Sequence, residues 1–135
     1  MRLDHVAIAV PSIDAVLPLW AGVLGLAPLE LEDVPEQGVR VKKLDTGNTH
    51  IELLEPLVAG EGPIGKHIDK RGAGIHHICF RVDDIDAAAT RLKAAGYRAL
   101  SDEPQPGANG ARVLFLHPKD TGGTLIELAW YPPGS

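Results

Sequence analysis

A single cysteine in 135 residues, Cys79, excludes an intramolecular disulfide, and a reducing compartment suits the chain. Positive charge is also short. Thirteen Lys and Arg against eighteen Asp and Glu give a formal net charge of -5, leaving no basic stripe for a polyanion to track. Nucleic acid is therefore not an expected partner, although a few placed cations still suffice for one anionic ligand. No apolar run approaches the ~20 residues needed to cross a bilayer, so no membrane partner is expected. The opening residues, Met1 to His5, lead straight into strand-like sequence without a signal-peptide layout. The expected localisation is cytoplasmic. What remains is an ordinary globular composition, 44% hydrophobic and 23% charged, long enough for one compact domain or two small fused half-domains.

The most informative feature is an internal repeat. Residues 3–15 read LDHVAIAVPSIDA and residues 75–87 read IHHICFRVDDIDA. Aligned without a gap, His5 falls on His77, Val10 on Val82, Ile13 on Ile85 and Asp14 on Asp86. A second match, TGNTHIELL at 46–54 with TGGTLIELA at 121–129, places Thr46 on Thr121, Gly47 on Gly122 and Glu52 on Glu127. Two matches in the same order point to duplication.

Both halves have the same coarse layout. A strand opens each, over 3–10 and 75–82. A helix follows, with Ser12 or Asp14 as the N-cap of the first and Asp84 or Asp86 as that of the second. The first helix is expected from Ile13 to Leu24, ending at Gly25, with Pro18 near its first turn. The second is expected from Ile85 to Ala95, stopping at Gly96. Strand-like runs follow at Val39–Leu44 and Thr49–Leu54, and again at Ala111–Leu116 and Thr124–Trp130. The implied architecture is a tandem βαβββ repeat, with a first module over 1–57, a Gly-rich connector with a short possible helix over 58–74, and a second module over 75–135.

Duplication gives the polar strand residues a purpose. Side chains two apart on a strand share a face, so His5 and His77 occupy the same point of equivalent strands. Glu52 and Glu127 sit within Ile-Glu-Leu triplets, where the carboxylate faces away from its two apolar neighbours. A pseudo-twofold relation between the halves would bring two His and two Glu around one point, a donor set suited to Zn, Co, Ni, Mn or Fe(II). A lone strand histidine or glutamate is ordinarily a surface or satisfied core residue, and only the matched positions raise these four above that. His76 points to the opposite face by alternation. His50, His67 and His117 have no counterpart and read as surface or loop residues, and Cys79 reads as a buried, inert thiol.

These residues resemble the vicinal oxygen chelate superfamily (glyoxalase, bleomycin resistance, dioxygenase). The resemblance covers nearly the whole chain: DHVAIAVPSID, VPEQGVRV, GNTHIELLEPL, GIHHICFRVDDIDAA and DEPQPGANGARVLFLHPKDTGGTLIEL. Within the superfamily, the PEQGV stretch at Pro35–Val39 and the PGANG…FLHPK block are similar to the methylmalonyl-CoA epimerases. The resemblance implies an α+β fold whose tandem βαβββ modules form a cupped, mostly antiparallel sheet around a metal site. It places the metal ligands on His5, Glu52, His77 and Glu127, with Co the foremost candidate and Mn, Ni or Zn as others. It also implies an acyl-CoA substrate and a homodimer.

The implied activity is a metal-dependent epimerase that interconverts (2R)- and (2S)-methylmalonyl-CoA through an enolate formed by removal of the C2 proton. Inversion needs a proton-transfer group on each face of C2. By resemblance Glu127 is the first. A further catalytic glutamate of the family matches Val41 here, which leaves the second group open among Glu52, Lys43 and a metal-held water. Glu52 is favoured because the pseudo-symmetry places it opposite. Gln37 cannot titrate and is assigned, with Lys119, to substrate binding; Arg112 is another cation that could meet the CoA phosphates. Two other activities share the fold: a glyoxalase-type lyase or isomerase acting on a thiohemiacetal, and a metal-free small-molecule-binding protein.

Overall fold

The structure is a computed structural model that describes residues 1–134, without the side chain of Ala108. Ser135, the last residue of the expected second module, lies outside the described residues. The chain divides into two compact units. One is His5–His76, and the other joins Met1–Asp4 to the residues from His77 onward.

The His5–His76 unit takes most of β1 (Arg2–Ala9), then α1 (Ile13–Leu17), β2 (Ala27–Val34), β3 (Val39–Asp45), β4 (His50–Pro56) and α2 (Gly62–Arg71). Its strands lie in the order β2-β3-β4-β1. The β2–β3 and β3–β4 pairs are antiparallel and β4–β1 is parallel. Strand alternation sorts the side chains onto two faces. On one, Leu44 and Leu53 are fully buried together with Val10 and Ile13, packed by Val16, Leu17 and Trp20. On the other, Ala7, Ala9, Val39, Val41 and Leu54 form a second apolar cluster, covered by Ile64 and Ile68 of α2. Each large side chain so buried contributes about 1.5–3 kcal/mol.

The first helix is shorter than its sequence suggests. Ser12 caps it, its hydroxyl accepting from the Ala15 amide at 3.2 Å. The α-helical part stops at Leu17, and Pro18–Val23 continues as a wider π-helical turn, closed by Leu24 N–H donating to the Leu19 carbonyl at 2.8 Å. Pro18 has no amide hydrogen to return to the preceding turn and crowds its carbonyl, which forces the wider spacing. Gly25, at φ +77°, then ends the run.

β2 has no counterpart among the strand-like runs read from the sequence. Seven of its eight residues are exposed, so its stability comes from pairing rather than burial. Arg40 grips Asp33 directly across the β2–β3 pair, at 2.7 and 3.2 Å. Lys42 Nζ donates to the Leu29 carbonyl at 2.8 Å.

The other unit contains β5 (Gly74–Arg81) from His77 onward, α3 (Ile85–Ala94), the short β6 (Gln105–Pro106), β7 (Arg112–Leu116) and β8 (Ile126–Trp130). The strand order is β5-β8-β7-β6, with β5–β8 parallel and the other pairs antiparallel. Asp84, the repeat counterpart of Ser12, caps α3 by accepting from the Ala87 amide at 3.0 Å. The helix lays Ile85 against Val82, Leu114 and Leu128. Residues 1–4 join this unit through Asp4, whose carboxylate accepts from the Tyr131 hydroxyl at 3.2 Å.

Candidate metal centre

In the His5–His76 unit, β1 and β4 run parallel with His5 opposite His50 and Ala7 opposite Glu52. Residues opposite one another share a face, so His5, His50 and Glu52 all project to the same side while Ile51 and Leu53 enter the core behind them. His5 is 5% exposed. Its Nδ1 lies 3.2 Å from Glu52 Oε2, and His50 Nε2 lies 2.9 Å from that same oxygen. Burial pushes the Glu52 carboxyl up, but the His50 hydrogen bond and the nearby His5, His50 and Lys43 outweigh it and hold the group below its usual value.

The other unit repeats the construction. β5 and β8 run parallel with Cys79 opposite Glu127, the same relation as Ala7 to Glu52. His77 is 8% exposed, and its Nε2 lies 3.2 Å from Glu127 Oε1. The ring of Phe115 stands edge-on to His77 at 5.8 Å. A threonine turn of the same kind precedes each glutamate. Thr46 Oγ1 donates to the Thr49 carbonyl at 2.9 Å, and Thr121 Oγ1 donates to the Thr124 carbonyl. These threonine turns set the start of β4 and β8 and so the register of Glu52 and Glu127.

The spacing within each pair fits a divalent ion. Two ligands about 2.1 Å from one ion, at an angle between tetrahedral and octahedral, stand roughly 3.0–3.4 Å apart. Both His–Glu pairs, at 3.2 Å, fall in that interval. The donors are imidazole nitrogens and carboxylate oxygens, the set that borderline divalent metals prefer.

Comparison with known proteins shows the family. Residues 4–115 match the glyoxalase/bleomycin resistance protein/dioxygenase superfamily. The chain is 52% identical to the ethylmalonyl-CoA/methylmalonyl-CoA epimerase of Cereibacter sphaeroides over 94% of this chain and 96% of that protein. The chain belongs to the methylmalonyl-CoA epimerase family of that superfamily. The human mitochondrial methylmalonyl-CoA epimerase is 47% identical over 94% of this chain and 72% of its own length. A Streptomyces coelicolor methylmalonyl-CoA epimerase variant, solved in complex with 2-nitronate-propionyl-CoA, superposes with a TM-score of 0.86 at 38% identity, covering 98% of this chain and 96% of that one.

The motifs shared with the epimerase family have local physical reasons. In Pro35–Gly38 a 3-10 turn closes through Gly38 N–H to the Pro35 carbonyl at 3.0 Å, with Gly38 left-handed at φ +65°. The same turn abuts the start of α2, where a Cβ on Gly62 would meet the Gln37 carbonyl at 3.3 Å. Gln37 itself is exposed on this turn. Lys119 is exposed in the 3-10 turn Pro118–Asp120. The Arg112 guanidinium is held by Asp86 at 2.8 and 3.0 Å, so its charge is already engaged within the chain. Val41 belongs to an apolar cluster and offers no proton. Lys43 stands opposite Glu52 in the β3–β4 register and reaches Glu30 at 3.7 Å.

His67, His76 and His117 make other contacts. His76 turns away from His77 and meets the His67 ring edge-on at 4.8 Å. His117 Nδ1 accepts from the Lys119 amide at 3.2 Å. His50 is the residue that sequence reasoning missed. The available signal was its position two residues before Glu52, which puts both on one strand face, but a search for matched pairs passes over it because its counterpart is Leu125.

Proposed function

We propose that this chain interconverts the (2R) and (2S) epimers of methylmalonyl-CoA through an enolate formed by proton abstraction at C2. The observation that carries this reading is the pair of His–Glu half-sites at equal 3.2 Å spacing, in a chain 52% identical to an ethylmalonyl-CoA/methylmalonyl-CoA epimerase. The C2–H bond lies between a carboxylate and a thioester carbonyl, so loss of the proton places negative charge on the thioester oxygen.

His5, Glu52, His77 and Glu127 are the proposed ligands of one divalent ion, with Co first and Mn, Ni or Zn as alternatives. When bound, such an ion supplies Lewis-acid stabilisation to the charge developing on the thioester oxygen. The protein's own residues move the proton. Glu127 removes it from one face of C2, and Glu52, after taking up a proton from solvent, delivers that second proton to the other face. A propionyl-CoA bearing a nitronate at C2, as bound by the Streptomyces coelicolor protein, has the trigonal C2 that such an enolate would have. Lys119 meets the anionic CoA moiety, and Gln37 contacts the substrate from the Pro35–Gly38 turn. The proposal extends to a homodimer, to the duplicated modules 1–57 and 75–135 joined by 58–74, and to a cytoplasmic setting that keeps the Cys79 thiol reduced.

The test is solvent exchange. Purified, metal-loaded protein is incubated with methylmalonyl-CoA in deuterated water, and the C2 proton is followed by NMR against a protein-free control. Rapid loss of the C2 signal together with epimeric scrambling is expected. A folded, metal-loaded sample with no exchange above the control would overturn the assignment.

A further inference from the structure

We propose that His50 is a positioning residue: its imidazole N–H holds Glu52 Oε2 in place for metal binding. The inference rests on the metal reading above and adds a residue to it.

The contact is the shortest polar one to the Glu52 carboxylate, at 2.9 Å, and it falls on the same oxygen that faces His5 Nδ1 at 3.2 Å. An ionised carboxylate has no hydrogen to give, so the imidazole supplies it. Each carboxylate oxygen has two lone pairs. One can therefore accept from His50 while the other points toward an ion, which is how outer-shell partners orient metal ligands.

Backbone register fixes His50 in this role. It stands two residues before Glu52 on β4 and directly opposite His5 on β1. Its ring centroid is 5.1 Å from that of His5 at an interplanar angle of 32°. Its side chain is 22% exposed, compared with 14% for Glu52. The pair thus sits where water competes only partly for the hydrogen bond.

The two modules differ here. The counterpart of His50 in the second half is Leu125, whose side chain has no hydrogen-bonding group. The matched segments share Thr46/Thr121, Gly47/Gly122, Thr49/Thr124, Ile51/Ile126 and Glu52/Glu127, and differ at Asn48/Gly123 as well as at His50/Leu125. His50 is thus an addition to the first module, in direct contact with one ligand. His50→Leu installs the residue found at the matching position of the second half, Leu125, just before β8.

Co(II) affinity of the full-length protein tests this by competition with a chromophoric chelator, alongside the Co(II) absorption spectrum and the melting temperature of the metal-free protein. H50L should bind Co(II) about 10- to 100-fold more weakly than the wild type, with an unchanged spectrum and an unchanged metal-free melting temperature. H50Q, whose Nε2 can donate from a similar reach, should recover most of the affinity. H50L affinity within twofold of wild type overturns the proposal, as does an H50Q variant no better than H50L. A changed ligand-field spectrum in H50L also overturns it, because His50 would then be a ligand. Failure of the wild type to bind Co(II) is a separate result: it removes the metal reading, and the positioning role falls with it.

Discussion

His77 Nε2 and Glu127 Oε1 stand 3.2 Å apart, delivered by the neighbouring parallel strands β5 and β8. Strand pairing alone sets which residues face each other, and the buried Leu128 next to Glu127 anchors that register in the core. A one-residue slip would exchange the carboxylate for a leucine. The function-bearing side chains are therefore placed by packing on the opposite face of the same strands.

Glu127→Gln should lower the epimerisation rate by about 10²–10⁴-fold, the usual contribution of a positioned proton-transfer group. Glu52→Gln should remove deuterium incorporation from one epimer while sparing it from the other. Stereochemically pure substrate in deuterated water distinguishes them. Equal loss from both epimers with loss of metal would reduce Glu52 to a ligand.

Lys119→Ala should raise KM for methylmalonyl-CoA several-fold with little change in kcat, because a cation that meets a remote phosphate contributes equally to ground and transition states. Steady-state kinetics at two ionic strengths checks it. An unchanged KM would remove Lys119 from the substrate site.

Leu114 is 2% exposed and packs with Ile85 and Leu128 beneath α3. Leu114→Ala should cost about 2–5 kcal/mol through lost burial and the cavity left behind. Urea denaturation reports this as a lower midpoint with little change in slope.

Asp120 accepts hydrogen bonds from the side chain and backbone amide of Arg98, at 2.9 to 3.3 Å, and these hold its carboxyl below the usual carboxylate range. A depressed folded-state pKa means stability that is present above the unfolded value and lost as pH falls through the folded one. Asp120→Asn should therefore melt below the wild type at pH 7, with the gap closing as pH falls below about 4. Arg98 is exposed, so added salt should narrow the gap as well. Melting curves across pH and salt measure both effects.

Much of this arrangement is legible in the sequence because it depends on local patterns. The repeat identified the equivalent histidines and glutamates, and the polar residues before each helix located the caps, with Ser12 and Asp84 chosen over Asp14 and Asp86. β2 escaped because hydrophobic alternation detects burial, and this strand is held by Asp33–Arg40 and by the Lys42 contact to a carbonyl. The π-helical turn after Leu17 escaped because Pro18 signals a break without saying whether the chain leaves the helix or widens it. His50 escaped because its counterpart in the second half is Leu125, so matching the two halves passes over it even though it stands two residues before Glu52.

Metal stoichiometry distinguishes one ion held jointly by the proposed ligands His5, Glu52, His77 and Glu127 from a separate ion at each His–Glu pair. The wild type, His5→Ala and His77→Ala are each loaded with Co(II), desalted and measured for bound metal per chain. One ion per wild-type chain and loss of that ion from either variant are expected. Two ions per chain, or retention of a full equivalent when one histidine is removed, would contradict it.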